Sequence, residues 1–539
     1  MLERLVENWL DSATERSFQG PFCQMLASQG YTILHMSGHN VMEMGKDVIA
    51  LAPDRVLCVY QLKTADGPRI TFSKWQQEIQ SQVLSMVTQP VVHPSVTKDA
   101  PHRSYLVTNR DIDEPVQRAI DDLNRRWRRS RLTHFGLKTI VRGEMLEMAT
   151  RLRSGLWPAE QKDTNSLLHL FLADGRGSVP LSRLASLIEG TLGMNKGSNQ
   201  RGGGETKRRL ASAALLCSVA LSNYTLAGNY VREVEGLTML MSYIFAHAER
   251  HHLESREWRN EFTITANTIY DRLMCLQREL SERSNLIEGE PWTDPMFVSA
   301  RVTMCMGYMS ILGLWRIVQG VERDSIDEHI RCFCEKYRRR VEYWGESATP
   351  FFLALFWYLE HVSGCVDSDL LIRDVLNCIC TQNRPLGEMP LPNPYYSYEE
   401  IVEHVPGLGG TPIRDSFAGR SCTATGLLHV VVRRNLKQSA KSIWPDYSRI
   451  MHEEYVPRPK WQFYRWRNRS GGTNRMVYPP LTKQWDDLQA EAYDTAGRNV
   501  PRLIRKRPEL LLLLLCVYPH RLTADVARWM DAKLGRAWK

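Results

Sequence analysis

The chain has 539 residues, of which 43% are hydrophobic and 24% charged, with a net charge of +9. This composition is ordinary for a soluble globular protein of two or three domains. It excludes a membrane-spanning protein, because no apolar run approaches the roughly 18 residues a span needs, and a disulfide scaffold, because twelve cysteines are too few for such a length.

Met1-Leu2-Glu3-Arg4 is charged and amphipathic without a signal-peptide core, which predicts a cytoplasmic protein. Phe18 to Tyr31 reads as a helix and the turn after it. The stretches Gly45 to Leu51 and Val56 to Lys63 read as two short apolar strands joined at Pro53-Asp54, the first of them opened by Asp47. A helix over Thr71 to Val87, a strand over Ser104 to Asn109 ending in polar residues, a helix over Glu114 to Trp127, a strand over Leu137 to Val141 and a helix over Gly143 to Leu152 follow. A first domain over residues 1–157 ends near Trp157-Pro158.

Residues 158–383 read as a mainly α-helical region. Apolar residues at helical spacing occupy Asp163 to Leu192, which Gly193 closes, and then Arg208 to Leu226, Val231 to His251, Glu261 to Glu282, Met296 to Val321 and Pro350 to Val362. A glycine-rich loop over Lys196 to Thr206 interrupts them. It is not a phosphate-binding loop, since no Gly-x4-Gly-Lys-Ser/Thr occurs in the chain, so no built-in P-loop motor is expected. Residues 384–539 form a mixed C-terminal region that begins with dense Pro and Gly. It contains a short apolar segment (Leu427 to Val432) and helices near Lys483 to Tyr493, Arg502 to Cys516 and Ala524 to Leu534. From Thr411 onward there are 24 Lys+Arg against 11 Asp+Glu, a surplus of 13 that suits a polyanionic partner.

The chemistry-bearing residues cluster early. Asp47 opens the first strand of the expected hairpin, and Gln61 and Lys63 close the second. Residues i and i+2 of a strand share a face, so a carboxylate, an amide oxygen and an ammonium converge at one sheet edge. Such a set can hold a hard divalent cation against a phosphate. The spacing, with the elements around it, resembles the PD-(D/E)xK nuclease superfamily, most closely its Mrr-like branch, where Gln replaces the middle acid. The resemblance implies a restriction-endonuclease-like α/β fold for the N-terminal domain only and a Mg²⁺ (or Mn²⁺) cofactor. It implies Asp47, Gln61 and the Leu62 carbonyl as metal ligands and Lys63 at the attacking water and the phosphate. The family's first-helix acid would be Glu15, one turn before the aligned Gln19; its alternative is a solvated helix face, since Glu3, Glu7, Asp11 and Glu15 recur every four residues. Lys46 stands where the family often has Pro or Gly.

The activity implied is metal-dependent endonucleolytic hydrolysis, with double-stranded DNA as substrate. The long extension resembles effectors of prokaryotic anti-phage defence or restriction, with partner proteins or self-association through the helical region. The alternatives are a non-catalytic nucleic-acid-binding or scaffold subunit with a degenerate site, or a nuclease acting on RNA. Two further segments could contact nucleic acid. Arg125, Arg126, Arg128, Arg129 and Arg131 surround Trp127, and Trp461, Arg465, Arg467 and Arg469 interleave cations with aromatics. Their bland readings are an Arg-rich docking surface and a packed strand with Arg outside. Gln76, Gln77, Gln80 and Gln82 could touch a phosphate backbone or simply face solvent. His247 and His251 lack the Glu of a zinc-protease motif and read as a polar helix end. The pairs Cys332/Cys334 and Cys378/Cys380 are too closely spaced for a structural zinc site.

Overall fold

Leu57-Cys58-Val59-Tyr60-Gln61-Leu62 has no inside–outside alternation, as expected of a strand covered on both faces. In the computed structural model it is the centre of a five-stranded sheet. The structure describes residues 2–36, 46–93, 96–97, 100–130, 135–151, 161–194, 203–283, 295–362, 366–383, 394, 396, 401, 419–465 and 472–536. They fall into two units, Met1–Asp271 and Arg272–Lys539. The sheet domain and the first helices of the helical region thus share one unit.

In the first unit the sheet order is β1 (Thr32–Met36), β2 (Val48–Leu51), β3 (Leu57–Lys63), β5 (His102–Thr108), β7 (Leu137–Ile140). β1, β2 and β3 are antiparallel to their neighbours, whereas β3, β5 and β7 run parallel. Two short strands, β4 (Arg69–Ile70) and β6 (Asp111–Ile112), pair beside it. The β2–β3 turn is where the sequence puts it: Asp54 accepts from the Val56 amide, and Arg55 takes φ +63° to close the bend.

One face of the sheet packs Ile49, Leu57 and Val59 against Trp75, Ile79, Val83 and Met86, with Val116, Ile120 and Trp127 completing the core. The first group of helical residues belongs to a helix over 72–88, in which α3 (Phe72–Lys74) and α4 (Gln80–Thr88) flank a π-helical segment, Trp75–Ile79. The second belongs to α5 (Glu114–Ser130). α6 (Arg142–Arg151) follows β7.

On the other face lies α2 (Glu15–Ser28), preceded by α1 (Leu2–Ser12). Phe22 of α2 meets Tyr60 edge-on at 5.3 Å. Every residue of α2 from Phe18 to Ala27 is buried, because the following helices cover its back. These are α7 (Gln161–Phe171), α8 (Leu181–Leu192), α9 (Gly203–Ala220), α10 (Ser222–Leu226), α11 (Tyr230–Arg250) and α12 (Ser255–Glu282), of which α9 and α12 reach α2. A Cβ on Gly20 would stand 3.0 Å from the Thr268 hydroxyl, so glycine sets that approach. Asn260 of α12 accepts from the Ile33 amide and donates to the Tyr31 carbonyl, occupying backbone groups of the edge strand β1.

The Glu261 carboxyl is buried in this contact, and burial pushes it up to about 7, little relieved by its own amide and the Lys207 charge. The folded state therefore favours the protonated acid. Stability from this group is present at low pH and is lost as pH rises from about 4.5 to about 7. Glu261→Gln should leave melting at pH 4.5 nearly unchanged and stabilise the chain at pH 8 by on the order of 2–3 kcal/mol. Equal shifts in melting temperature at both pH values would contradict this.

The second unit is mostly helical. α13 (Pro295–Val318), α14 (Ser325–Tyr337), α15 (Thr349–Val362) and α16 (Val366–Gln382) precede helices at Ala424–Arg433, Lys437–Tyr447, Trp485–Tyr493, Pro508–Val517 and Ala524–Leu534. α13 and α15 pack closely: a Cβ on Gly307 or Gly313 would meet Phe351 or Tyr358 at 2.4 and 2.3 Å. A three-stranded sheet, β10 (Gly472–Val477), β9 (Met451–Pro457), β8 (Arg420–Ser421), joins them.

Several local expectations change. Gly203 to Thr206, read as loop, open α9, since glycines cost little in a first turn where four amides lack intrahelical partners. Residues 196–202 of that loop, most of the Pro/Gly-dense stretch over 384–418, and Trp157-Pro158 lie outside the described residues. Leu427 to Val432 belongs to a helix. Among the described residues no helix is long and apolar enough to cross a membrane.

Candidate metal and phosphate site

Asp47 directly precedes β2, and hydrogen bonds from both its backbone and its side chain fix it. Its amide donates to the Tyr60 carbonyl at 2.9 Å, extending the hairpin by one residue. Its Oδ2 accepts from the Leu62 amide at 2.6 Å. Its carbonyl accepts from Gln19 Nε2 at 3.0 Å. The Asp47 side chain therefore turns toward the end of β3 rather than away from it. In a strand the amide and carbonyl of one residue point to the same side, so the Leu62 carbonyl faces the side from which Asp47 approaches.

Gln61 is 1% exposed. Its Nε2 donates to Gln82 Oε1 at 2.6 Å, while its own Oε1 is buried with no hydrogen-bond partner. A buried acceptor without a donor is costly, and a bound cation is one way to satisfy it. Lys63 Nζ lies 3.4 Å from Glu15 Oε2, and Glu15 Oε1 accepts from the Thr64 amide at 3.2 Å. Of the two first-helix candidates, Glu15 thus meets Lys63 and Thr64, and Gln19 holds the Asp47 backbone. Gln82 is exposed on its helix, as are Gln76 and Gln77, and its Oε1 still reaches the Gln61 amide.

Asp47, Gln61 and Leu62 offer a carboxylate, an unpartnered amide carbonyl and a backbone carbonyl, the hard donors that Mg²⁺ or Mn²⁺ takes. Among the described residues no three His, Cys, Asp or Glu side chains cluster as ligands. An ion at this place would rest on a single carboxylate. Lys46, beside Asp47, is buried, and burial pushes its ammonium down.

The arginine-rich segment stands elsewhere. β5 ends at Thr108 opposite Lys63, and α5 begins at Glu114. Its 17 residues run back along the sheet for about 25 Å. Asn124, near its far end, bonds Leu137 at the start of β7. Arg125, Arg126, Arg128 and Arg129 are exposed at this opposite end, with Arg125 paired to Asp122. Trp127 is buried in the core, so it anchors the segment and does not stack on a base. Arg131 lies outside the described residues.

In the second unit Trp461 is half-buried under the Arg465 guanidinium at 5.6 Å. Phe463 and Tyr464 are buried in a 3₁₀ turn, Lys460–Tyr464, not a strand. Arg467 and Arg469 lie outside the described residues. His247 is buried in α11, with its ring 4.5 Å from that of His251, and burial lowers it to about 3, so the imidazole is neutral. That is a core histidine more than a polar helix end.

Thr64 and Asn109 also stand at this strand end, beyond the residues that the motif spacing picks out. Thr64 Oγ1 and Asn109 Oδ1 are buried without hydrogen-bond partners one residue beyond the Lys63↔Thr108 pair. The signal was the polar close, Thr108-Asn109, of an apolar strand. No family model, curated protein or solved structure matches this chain.

Proposed function

We propose that this chain is a metal-dependent endonuclease of the PD-(D/E)xK type that hydrolyses phosphodiester bonds, with double-stranded DNA as its substrate. The observation that carries the reading is the buried, unpartnered Gln61 Oε1 at the strand end where Asp47 bonds the Leu62 amide and Lys63 lies near Glu15. Asp47, Gln61 and the Leu62 carbonyl would hold Mg²⁺ or Mn²⁺. The bound ion supplies a water of lowered pKa and positive charge at the phosphoryl oxygens. Lys63 would orient the attacking water and offset charge accumulating on the pentavalent phosphate. Glu15 holds the Lys63 ammonium at the strand end, and Gln82 holds the Gln61 amide by its nitrogen so that its oxygen stays free.

The long helical extension and the basic C-terminal region support a further reading as an effector of prokaryotic anti-phage defence or restriction, triggered through partner proteins or self-association. With no P-loop in the chain, any translocation would come from another protein. The competing reading is a non-catalytic nucleic-acid-binding subunit, favoured by the single carboxylate and the buried Lys46.

Titration with Mg²⁺ and Mn²⁺ against labelled duplex DNA, single-stranded DNA and RNA tests the proposal. Cleavage should require the metal and be fastest on duplex DNA. Gln61→Glu adds a second carboxylate and should lower the half-activating metal concentration by about tenfold. An unchanged metal requirement would remove Gln61 from the ligand set. No cleavage of any substrate would favour the competing reading.

A further inference from the structure

Asn109 is fully buried at the end of β5. Its Nδ2 donates to two backbone carbonyls, Leu10 at 2.7 Å and Ala13 at 2.8 Å. These lie in the last turn of α1 and in the link to α2, where helix-end carbonyls lack intrahelical donors. Thr14 then caps α2 by accepting from the Ser17 amide, and Glu15 is the first residue of that helix. The place from which Glu15 reaches Lys63 and Thr64 is therefore set by a turn that one buried amide grips twice. Arg142 also holds this turn through Asp11, at 2.7 and 3.0 Å, but from the exposed side, where such a pair contributes little. An aspartate at position 109 could not donate to these carbonyls, and an aliphatic residue would leave both bare.

We propose that Asn109 is a positioning residue of the hydrolytic site: it fixes the α1–α2 turn and, through it, sets Glu15 against Lys63. The catalytic consequence rests on the nuclease reading; the structural one does not. A residue acting only through Glu15 should lose its effect when Glu15 is disabled.

The test is a double-mutant cycle of Asn109→Ala and Glu15→Gln in the full chain, with duplex nicking in Mn²⁺ and hydrogen exchange over residues 10–18 as readouts. Asn109→Ala should lower turnover about tenfold to a hundredfold, as misplaced catalytic groups do, with the Michaelis constant for DNA unchanged. In the Glu15→Gln background it should cost less than about twofold. Exchange over residues 10–18 should quicken in Asn109→Ala while the sheet strands stay protected. The same fold-loss in both backgrounds, or unchanged exchange, would overturn the proposal. Should Asn109→Ala fail to fold, Thr14→Ala removes only the exposed cap of α2. It should speed exchange over the same residues and lower turnover severalfold, and no change in either would also overturn the proposal. If the wild-type chain cleaves nothing, the nuclease reading fails, and the exchange measurement still decides whether Asn109 fixes the turn.

Discussion

Asp47→Ala is expected to abolish metal-dependent cleavage, a loss of at least about a thousandfold. Asp47 has two roles that two substitutions separate. Its Oδ2 accepts from the Leu62 amide and holds the open end of the hairpin, and its negative charge would anchor the ion. Asparagine keeps an acceptor for the amide and removes the charge. Asp47→Asn should therefore melt like the wild type while losing nearly all activity and weakening metal binding seen by calorimetry. Asp47→Ala should in addition lose about 1–2 kcal/mol, because the buried Leu62 amide loses its charged acceptor. Full activity in Asp47→Asn would show that the residue only shapes the hairpin.

Asp531→Ala is expected to be the most destabilising single change in the second unit, by about 3–5 kcal/mol. Asp531 is 2% exposed. It accepts from Trp357 Nε1 at 2.9 Å and Arg433 Nε at 2.6 Å, and it pairs with Arg434 at 2.8 Å. Arg434 in turn forms a buried pair with Glu360 at 2.7 Å. Three elements meet there: α15, which carries Trp357 and Glu360, and the helices at Ala424–Arg433 (with Arg434 just beyond it) and Ala524–Leu534. Truncating the carboxylate leaves two guanidinium groups and an indole nitrogen short of an acceptor in low dielectric, which costs more than the pair itself contributes. Asp531→Asn keeps the shape and part of the hydrogen bonding and should cost less. Denaturant titration measures both, and a loss below about 1 kcal/mol for alanine would mean that water reaches the hub. The same charges explain part of the basic surplus in the C-terminal region: Arg433 and Arg434 are spent on packing and are not offered to a polyanion.

The candidate site was legible because strand geometry is local. The turn at Pro53-Asp54 fixes the hairpin, and two-residue alternation then puts Gln61 and Lys63 on one face. What the Gln61 amide meets was not legible, since Gln82 arrives 21 residues later on another helix. β1 was missed although Thr32 to Met36 follows the α2 turn directly: it is a half-exposed edge strand whose backbone is held by Asn260, 227 residues from Ile33. Arg125, Arg126, Arg128 and Arg129 of the arginine cluster are exposed. Its place followed from topology alone, because a helix that starts at the site end of a parallel sheet ends at the other. The small C-terminal sheet escaped because β9 carries polar residues, Glu453 and Glu454, in its middle and β8 has only two residues. The helices were the easiest elements to read, since long amphipathic repeats need no partner to be seen.

The measurement that bears most directly on the central claim is cleavage of labelled duplex DNA by the purified full chain, wild type beside Lys63→Ala, in Mg²⁺ or Mn²⁺ and in chelator. Lys63 lies near Glu15 at the strand end and is only partly buried, so its truncation should leave melting close to wild type. The wild type should give products in metal and none in chelator, and Lys63→Ala at least about a hundredfold fewer. Equal cutting by both proteins, or intact DNA with both in every metal, would contradict it.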